Sequence, residues 1–426
     1  MRAMNPTETE LYQKTLSCIH CGFCLPACPA YQTSPRESLA PRGQVYNVRA
    51  MLEGRLLLSD GLADEIYDCL ACRGCESVCP AGVPVGAIIE GARALITEER
   101  KEGLVERSMK RLLLSGVVAH PKRLAVLMAL QRFYEATGLR RLAQSLLELT
   151  SPTLAARERL MPMLPPRVSL PELFPAKGNK RKRVALFTGC IASHYFGDVN
   201  EATARVLQRN GFEVVVPSDQ VCCGALHLHN GLAGTGRRLA LENIEVFDRA
   251  KVDAIVVNAA GCGAALTEYG ELLHGNDGAR AFTGKVADIS AFLVREGFEP
   301  PTRPLPGASL RVAYDAPCHL FHAQGIREEP PRLLSEIPGV TLVPYRDSER
   351  CCGSAGIYNV THYDMSMEVL ASKMEAIAKA RPDVIVTGNP GCHIQLSEGV
   401  RRSGLQSEVV HPAVLLERAY RSGDEE

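Results

Sequence analysis

Eight of the chain's sixteen cysteines fall into two runs with one spacing. "CIHCGFCLPACP" extends from Cys18 to Pro29 and "CLACRGCESVCP" from Cys69 to Pro80. Each reads C-x2-C-x2-C-x3-C-P, and 51 positions separate them. Three thiolates on so short a loop can wrap one cuboidal iron–sulfur cluster, while the fourth, ahead of the proline, leads away and ligates the neighbouring cluster. The spacing therefore predicts two 4Fe-4S clusters with exchanged ligands. Cluster 1 takes Cys18, Cys21, Cys24 and Cys79; cluster 2 takes Cys69, Cys72, Cys75 and Cys28. Zinc is the competing use of clustered thiols, but it pairs two C-x2-4-C hooks across a longer gap and needs only four ligands. A triple hook, present twice, fits that poorly. His20, inside the first loop, reads as a solvated residue that tunes its cluster by hydrogen bonding rather than as a ligand.

The other eight cysteines follow a different plan. Cys190, the adjacent pair Cys222-Cys223, and Cys262 are matched by Cys318, the pair Cys351-Cys352, and Cys392. The offsets are 128, 129, 129 and 130 residues, which implies a duplicated unit. Adjacent cysteines suit a strained vicinal disulfide, a zinc site or a site bridging the irons of a cluster, and all three remain open. Gly224 and Gly353, which follow the pairs, allow a close backbone approach.

These thiols must be positioned by regular elements. Short runs rich in Val and Ile precede each of them: "RVALF", "FEVVVP" and "VDAIVVN" in the first copy, and "RVAYD", "VTLVPY" and "PDVIVTG" in the second. Such runs read as buried strands. Helical stretches such as "DVNEATARVLQRNG" and "MSMEVLASKMEAIAKA" lie between them. Strands alternating with helices imply parallel α/β units, whose ligands sit beyond the carboxyl ends of the strands. The four thiols of each copy are thus expected to meet at one sheet edge.

The expected architecture is multidomain, α plus α/β. A helical two-cluster domain occupies 1–100 and a helical linker 101–180. Two parallel α/β units follow, at 181–300 and 301–426. The linker pairs amphipathic helices with a Pro-rich basic segment, "MPMLPPRVSLPELFPAKGNKRKR". Lys+Arg and Asp+Glu both number 48, so no basic face for nucleic acid is implied. "MRAMNPTETELYQK" has no apolar core of a signal peptide, and no apolar run reaches the roughly 18 residues of a spanning helix. Sixteen thiols without a secretion signal point to a reducing compartment and to metal rather than disulfides. A cytoplasmic protein is expected, with peripheral attachment to the inner face of the cytoplasmic membrane left open. The apolar stripe of 101–150, with Lys110, Arg111, Lys122 and Arg123 beside it, has the composition of an interfacial helix. It also suits a face packed on the α/β units or on a partner.

Three resemblances follow from these motifs. The insert between the two ferredoxin runs reads as helical, and is similar to the helical ferredoxin domains of fumarate reductase and succinate dehydrogenase iron–sulfur subunits. The Cys-Cys-Gly units resemble the cysteine-rich CCG domain of heterodisulfide reductase subunits. The whole layout resembles the iron–sulfur subunit of glycolate oxidase, through "CIHCGFC", "PRGQVYNV", "CLACRGCE", "VCCGALHLHNG", "AAGCGAALTEYG", "PCHLFHAQG", "CCGSAGIYNVTH" and "NPGCHIQL". The resemblance implies an electron-transfer subunit of a 2-hydroxy-acid dehydrogenase that acts on glycolate. It also implies FAD on a partner subunit, a quinone or other acceptor, and iron–sulfur clusters or zinc at the CCG cysteines. Relatives of lactate-utilisation and glycerol-3-phosphate dehydrogenase complexes share the pattern. So does a catalytic subunit of the heterodisulfide reductase type, but its last cysteine belongs to a C-x2-C pair. Here "GAA" follows Cys262 and "HIQ" follows Cys392, so the fifth thiol is missing from both copies.

No G-x-G-x-x-G follows a strand run, and there is no Walker A lysine motif or G-x-S-x-G. "GLAGTG" at 231–236 reads as a turn. With no flavin or nicotinamide site read on this chain, the two-electron step of hydroxy-acid oxidation is expected on the partner's flavin. No catalytic residue is assigned here. His194, His227, His229, His319, His322 and His393 lie near the CCG thiols and read as polar residues at strand ends and helix caps, with ligation or proton transfer the alternative.

Overall fold

The computed structural model describes residues 4–99, 109–305 and 309–424. The beginning of the expected linker, 101–108, lies outside the described residues. The N-terminal part is helical. Pro6–Leu16 starts at a capping box in which Asn5 and Glu8 bond reciprocally, which satisfies two otherwise unpaired N–H groups. Pro41–Leu52, Asp60–Tyr67 and Val85–Glu99 follow. Their apolar faces, with Val45, Val48, Leu52, Ile66, Ile88 and Ile89, close one core around the first-motif and second-motif loops. The insert between the motifs is helical, as its sequence predicts.

Helices Met109–Val118 and Pro121–Ala136 meet at 107° and are followed by Leu139–Thr150 and Pro152–Arg159. No single helix among the described residues is long and apolar enough to cross a membrane; that bent pair passes by length and composition only. Arg140 clips the last three helices together through Glu158 at 3.0 Å and Glu135 at 3.6 Å. Leu114, Val118 and Ala119 pack into the core of the first α/β unit. The other side leaves Leu112, Leu113, Val126, Leu130, Phe133, Leu142, Leu146 and Leu149 exposed.

Among the described residues the α/β region has nine strands: β1 (Leu173–Phe174), β2 (Lys182–Phe187), β3 (Phe212–Val215), β4 (Ala254–Val257), β5 (Val286–Asp288), β6 (Leu310–Asp315), β7 (Val340–Leu342), β8 (Val384–Thr387) and β9 (Glu408–Val410). They form two sheets, ordered β1-β3-β2-β4-β5 and β7-β6-β8-β9. All pairings are parallel except the antiparallel edge β1–β3. Apart from β1 the two orders are the same, so the duplication read from the cysteines is also a duplication of topology. The sheet begins inside the segment expected to be linker, because β1 adds to β3 at Leu173↔Val215.

β4 and β8 are buried along their whole length, and β2 from Val184 to Phe187, because both faces are covered there. Along β4, Ala254 and Val256 face a core shared by the two units, and Ile255 and Val257 face the outer helices of the first unit. The shared core holds helices Gly197–Arg209 and Pro412–Asp424 between the sheets, with Val206, Leu207, Leu415 and Leu416. The backbone also crosses the seam: Ala260 N donates to Gly388 O at 3.0 Å, and His411 Nε2 bonds Asn258 O at 2.8 Å. The "GLAGTG" stretch is only partly a turn. Gly231 has φ +74°, but helix Ala233–Ala250 begins two residues later, and Gly236 lies so close to Leu228 that a Cβ would approach it to 2.6 Å.

Candidate iron-sulfur sites and the seam between them

The two ferredoxin loops repeat each other in backbone as well as in sequence. His20 and Gly22 have φ of 55° and 88°; Ala71 and Arg73, at the same steps of the second loop, have 50° and 63°. Left-handed residues at alternate positions curl each loop and turn N–H groups inward. Ala71 N donates to Cys69 Sγ at 3.4 Å, Val83 N to Cys79 Sγ and Tyr31 N to Cys28 Sγ, both at 3.5 Å. His20 is exposed, edge-on to Tyr46.

Two cavities lie between the loops. One, of about 410 Å³ and open to solvent, is lined by Cys18, Cys21, Cys24 and Cys79, with Cys75 at its edge. The other, of about 450 Å³, is lined by Cys28, Cys69, Cys72 and Cys75. Each wall therefore draws thiols from both motifs. Burial and the nearby Cys69 push the Cys28 thiol up to about 12, and burial with Cys69 and Cys28 pushes Cys75 well above its ordinary value. A buried thiolate set is stable only with positive charge at its centre. The donor type and its crowding fit iron. Among the described residues, no three His, Cys, Asp or Glu side chains converge on one ion-sized point; these thiols stand around volumes.

In each α/β unit the four cysteines meet beyond the strand ends. The first copy runs Cys190–Cys222–Cys223–Cys262, with Cys190 and Cys222 Sγ at 3.3 Å. The second runs Cys318–Cys351–Cys352–Cys392. Cys262 and Cys392 stand in the first turns of helices Ala260–Thr267 and Pro390–Ser403. Hydrogen bonds from Cys222 and Cys262 pull the Cys223 thiol down, whereas Cys222, Cys262, Cys318 and Cys392 are all pushed up by their thiol neighbours and by burial. Gly224 and Gly353 adopt φ of 86° and 91°. Their backbone approaches the thiols, Gly224 N donating to Cys222 Sγ and Gly353 N to Cys351 Sγ, each at 3.5 Å, and it also presses on the following helix, where a Cβ on Gly353 would lie 2.6 Å from Ser366 O. Four thiols gathered beyond one sheet edge again fit a metal group of the same kind.

The copies differ in what surrounds them. Where the first copy has Asn243, bonded to Cys222 O and Val221 N, the second has Lys373. Its ammonium is buried 2.6 Å from Asp315, which also accepts from Tyr345 and Thr387. Sequence reasoning misses Asp315 and Lys373; a carboxylate at the end of a buried strand was the available signal.

The ferredoxin part seals the second copy. Ala30, Leu70, Tyr358 and Val369 form one apolar cluster with Cys318 and Cys351, and Cys28 and Cys72 pack against it. Tyr358 donates to Asp68 O at 2.9 Å. A polar seam runs alongside. Glu90 bonds His229 Nδ1 at 2.6 Å, and the His229 ring lies 5.3 Å from that of His319. Burial works against the Glu90 carboxylate, but His229 outweighs it and holds the group below its usual range. Burial drives His319 down to about 3. Arg93 donates to His229 O and to the carbonyls of Ile66, Tyr67 and Cys69, and Arg73 pairs with Glu76 and Glu268. Of the other histidines, His227 bonds Leu114 O, His322 bonds Ser77 and Glu349 O, and His393 packs on Phe196. His194 lines a cavity beside Cys190.

Comparison with known proteins agrees with this anatomy. Residues 14–83 match the model of a 4Fe-4S dicluster domain, and residues 184–267 and 312–397 each match the cysteine-rich CCG domain. The chain is thus an iron–sulfur protein of the electron-transfer class, with a dicluster domain joined to two CCG domains. Residues 105–161 match the linker region of the glycolate oxidase iron–sulfur subunit. The chain is 38% identical over 413 residues to the probable glycolate oxidase iron–sulfur subunit of Bacillus subtilis (strain 168), covering 94% of this chain and 93% of that one. It is 34% identical over 392 residues to the glycolate oxidase iron–sulfur subunit of Escherichia coli (strain K12), covering 91% of each. A fumarate reductase (CoM/CoB) subunit of Methanothermobacter marburgensis is 27% identical, over 99% of this chain and 75% of its own length. The chain belongs to the family of glycolate oxidase iron–sulfur subunits.

Proposed function

We propose that this chain relays single electrons from a partner subunit, which oxidises glycolate on FAD, to a quinone. Cluster 1 is held by Cys18, Cys21, Cys24 and Cys79, and cluster 2 by Cys69, Cys72, Cys75 and Cys28. Further iron–sulfur groups sit at Cys190, Cys222, Cys223 and Cys262, and at Cys318, Cys351, Cys352 and Cys392. The observation that carries the reading is the continuity of thiols. Cys75 stands at both ferredoxin cavities, and Cys28 and Cys72 pack on the cluster that contains Cys318 and Cys351. Iron at these positions supplies one-electron steps; the protein fixes the spacing, excludes water and provides N–H groups to sulfur. The chain works at the inner face of the cytoplasmic membrane. The exposed leucines of the linker helices, flanked by exposed Arg111, Lys122 and Arg123, support that placement.

The test is anaerobic co-purification from the native host. The eluate is assayed for flavin and for reduction of a quinone analogue by glycolate, with D-lactate and glycerol-3-phosphate in parallel. A co-purifying flavoprotein and glycolate-dependent reduction are expected. Recovery without a flavoprotein refutes the relay, and a preference for D-lactate or glycerol-3-phosphate moves the substrate. Ligand exchange between the motifs has its own readout: Cys28→Ser and Cys72→Ser should abolish one electron paramagnetic resonance signal, and Cys24→Ser and Cys79→Ser the other.

A further inference from the structure

The duplicated α/β units carry the same thiols in opposite settings. Cys318 and Cys392 are buried, whereas Cys190 and Cys262 are only half-buried. The second site lies under the ferredoxin part. The first lies at the floor of a cavity of about 1080 Å³, open to solvent, with Cys190 and Cys222 in its wall.

A histidine stands four residues after the first cysteine in each copy. His322 is committed: Nδ1 pairs with Ser77 Oγ at 2.7 Å and Nε2 with Glu349 O at 3.2 Å. His194 has no side-chain hydrogen bond among the described residues and lines the cavity. Burial, with the nearby Arg167 charge, holds its imidazole below the usual value and so neutral at neutral pH. Arg167 is exposed and lines the same cavity. Val168, Val216, Pro121 and Leu124 supply apolar lining beside the polar Thr188, Asn200 and Gln220. Pro121 and Leu124 begin the helix whose outer side exposes Val126, Leu130 and Phe133.

We propose that this cavity binds a quinone, with Arg167 and His194 donating hydrogen bonds to its carbonyl oxygens, and that electrons leave the chain here. The proposal rests on the reading that a quinone is the acceptor, and adds where it binds and through which residues. A planar ring with carbonyl oxygens meets both the apolar part of this mixed lining and the two donors. A small hydroxy acid would satisfy Arg167 but leave Val168, Val216 and Leu124 without a partner. The balance is simple: quinone, two electrons and two protons give quinol. The electrons arrive one at a time through the chain, from hydroxy acid oxidised on the partner. The protons come from solvent at the open mouth, one of them relayed by His194, which takes a solvent proton on its free ring nitrogen as it gives the proton on the other to the oxygen it binds. The two copies then have separate tasks, the sealed one receiving electrons and the open one delivering them.

The test uses the complex purified anaerobically with its partner. An azidoquinone is photolysed on the wild-type complex and the labelled peptides are mapped. Label is expected within residues 167–170, 188–200 or 216–222, and excess unlabelled quinone should prevent it. Two variants give a second readout. Ser193→Trp fills the mouth and Arg167→Ala removes a donor, and each should lower the ratio of quinone to ferricyanide reduction about tenfold through a higher quinone KM. Label elsewhere, with an unchanged quinone KM in both variants, overturns the cavity and leaves the acceptor reading standing. A wild-type complex that reduces ferricyanide with glycolate but no quinone overturns both.

Discussion

Lys373→Met removes the buried cation beside the second thiol site while keeping most of the side-chain volume. The Lys373 and Asp315 side chains are 2% and 1% exposed, and their charges stand 2.6 Å apart. Burial depresses the Lys373 ammonium, yet Asp315 outweighs it and raises the group above its ordinary value. Removing one member of such a pair costs about 3 to 5 kcal/mol, because the other charge remains in a low-dielectric site. Asp315 keeps two donors, Tyr345 OH at 2.9 Å and Thr387 Oγ at 3.2 Å, so the lower end, about 3 kcal/mol, applies. At roughly 3 °C per kcal/mol for a domain of this size, the transition of the second unit should fall by about 10 °C. Differential scanning calorimetry of the anaerobic protein reads this. Lys379→Met is the control, on the same helix, where Lys379 and Glu375 are each 71% exposed; it should shift the transition by less than about 2 °C. The double variant Lys373→Met, Asp315→Asn should recover most of the loss, since no charge is then stranded. A Lys373→Met shift as small as the control's, or a double variant no better than the single, would refute the electrostatic reasoning.

Burial holds His411 neutral, with its value driven down to about 3, while it bonds Asn258 O at 2.8 Å and accepts from Ala413 N at 3.1 Å. Unfolding frees it to protonate below about 6.5, so stability falls as pH drops through that value, by about 2 kcal/mol at pH 5; urea midpoints should decline less steeply in His411→Gln. Gly353→Ala places a Cβ 2.6 Å from Ser366 O at φ +91° and should cost about 2 kcal/mol or more, whereas Gly234→Ala, in a helix with open space around it, should gain about 0.5 to 1 kcal/mol. Equilibrium denaturation separates the two, and equal effects would count against the steric account. Tyr358→Phe deletes the bond to Asp68 O and should cost about 1 kcal/mol, read as earlier exchange of backbone amides around Asp68 and Cys69.

The strands ahead of the α/β cysteines were legible because, where both sheet faces are covered, apolar residues run together, as in "VALF", "AIVV" and "VIV". β1, β5 and β9 were not, since two or three residues at an edge carry no periodicity that separates them from loop. The ferredoxin loops were legible from spacing alone, because three thiols on seven residues leave the chain few ways to fold. The seam was opaque. Glu90 finds His229 139 residues away, and Arg93 reaches His229 O across 136; nothing local in "IIEGARALI" announces a partner at that distance. His194 and His322 show the same limit from the other side. They occupy one position in a repeated pattern, and only the packing of the ferredoxin part against one copy makes them different.

The mixed walls of the two ferredoxin cavities also govern how the chain can mature. A nascent chain that ends before Cys69 offers the second cavity Cys28 alone and the first no Cys79. The second chamber gains its last thiol with Cys75 and the first with Cys79, so neither is complete until most of the second motif has left the ribosome and the helices between the motifs have folded back. Iron delivered earlier would meet half-built, solvent-open thiols. The two chambers are therefore completed within a few residues of each other, late in the synthesis of this segment.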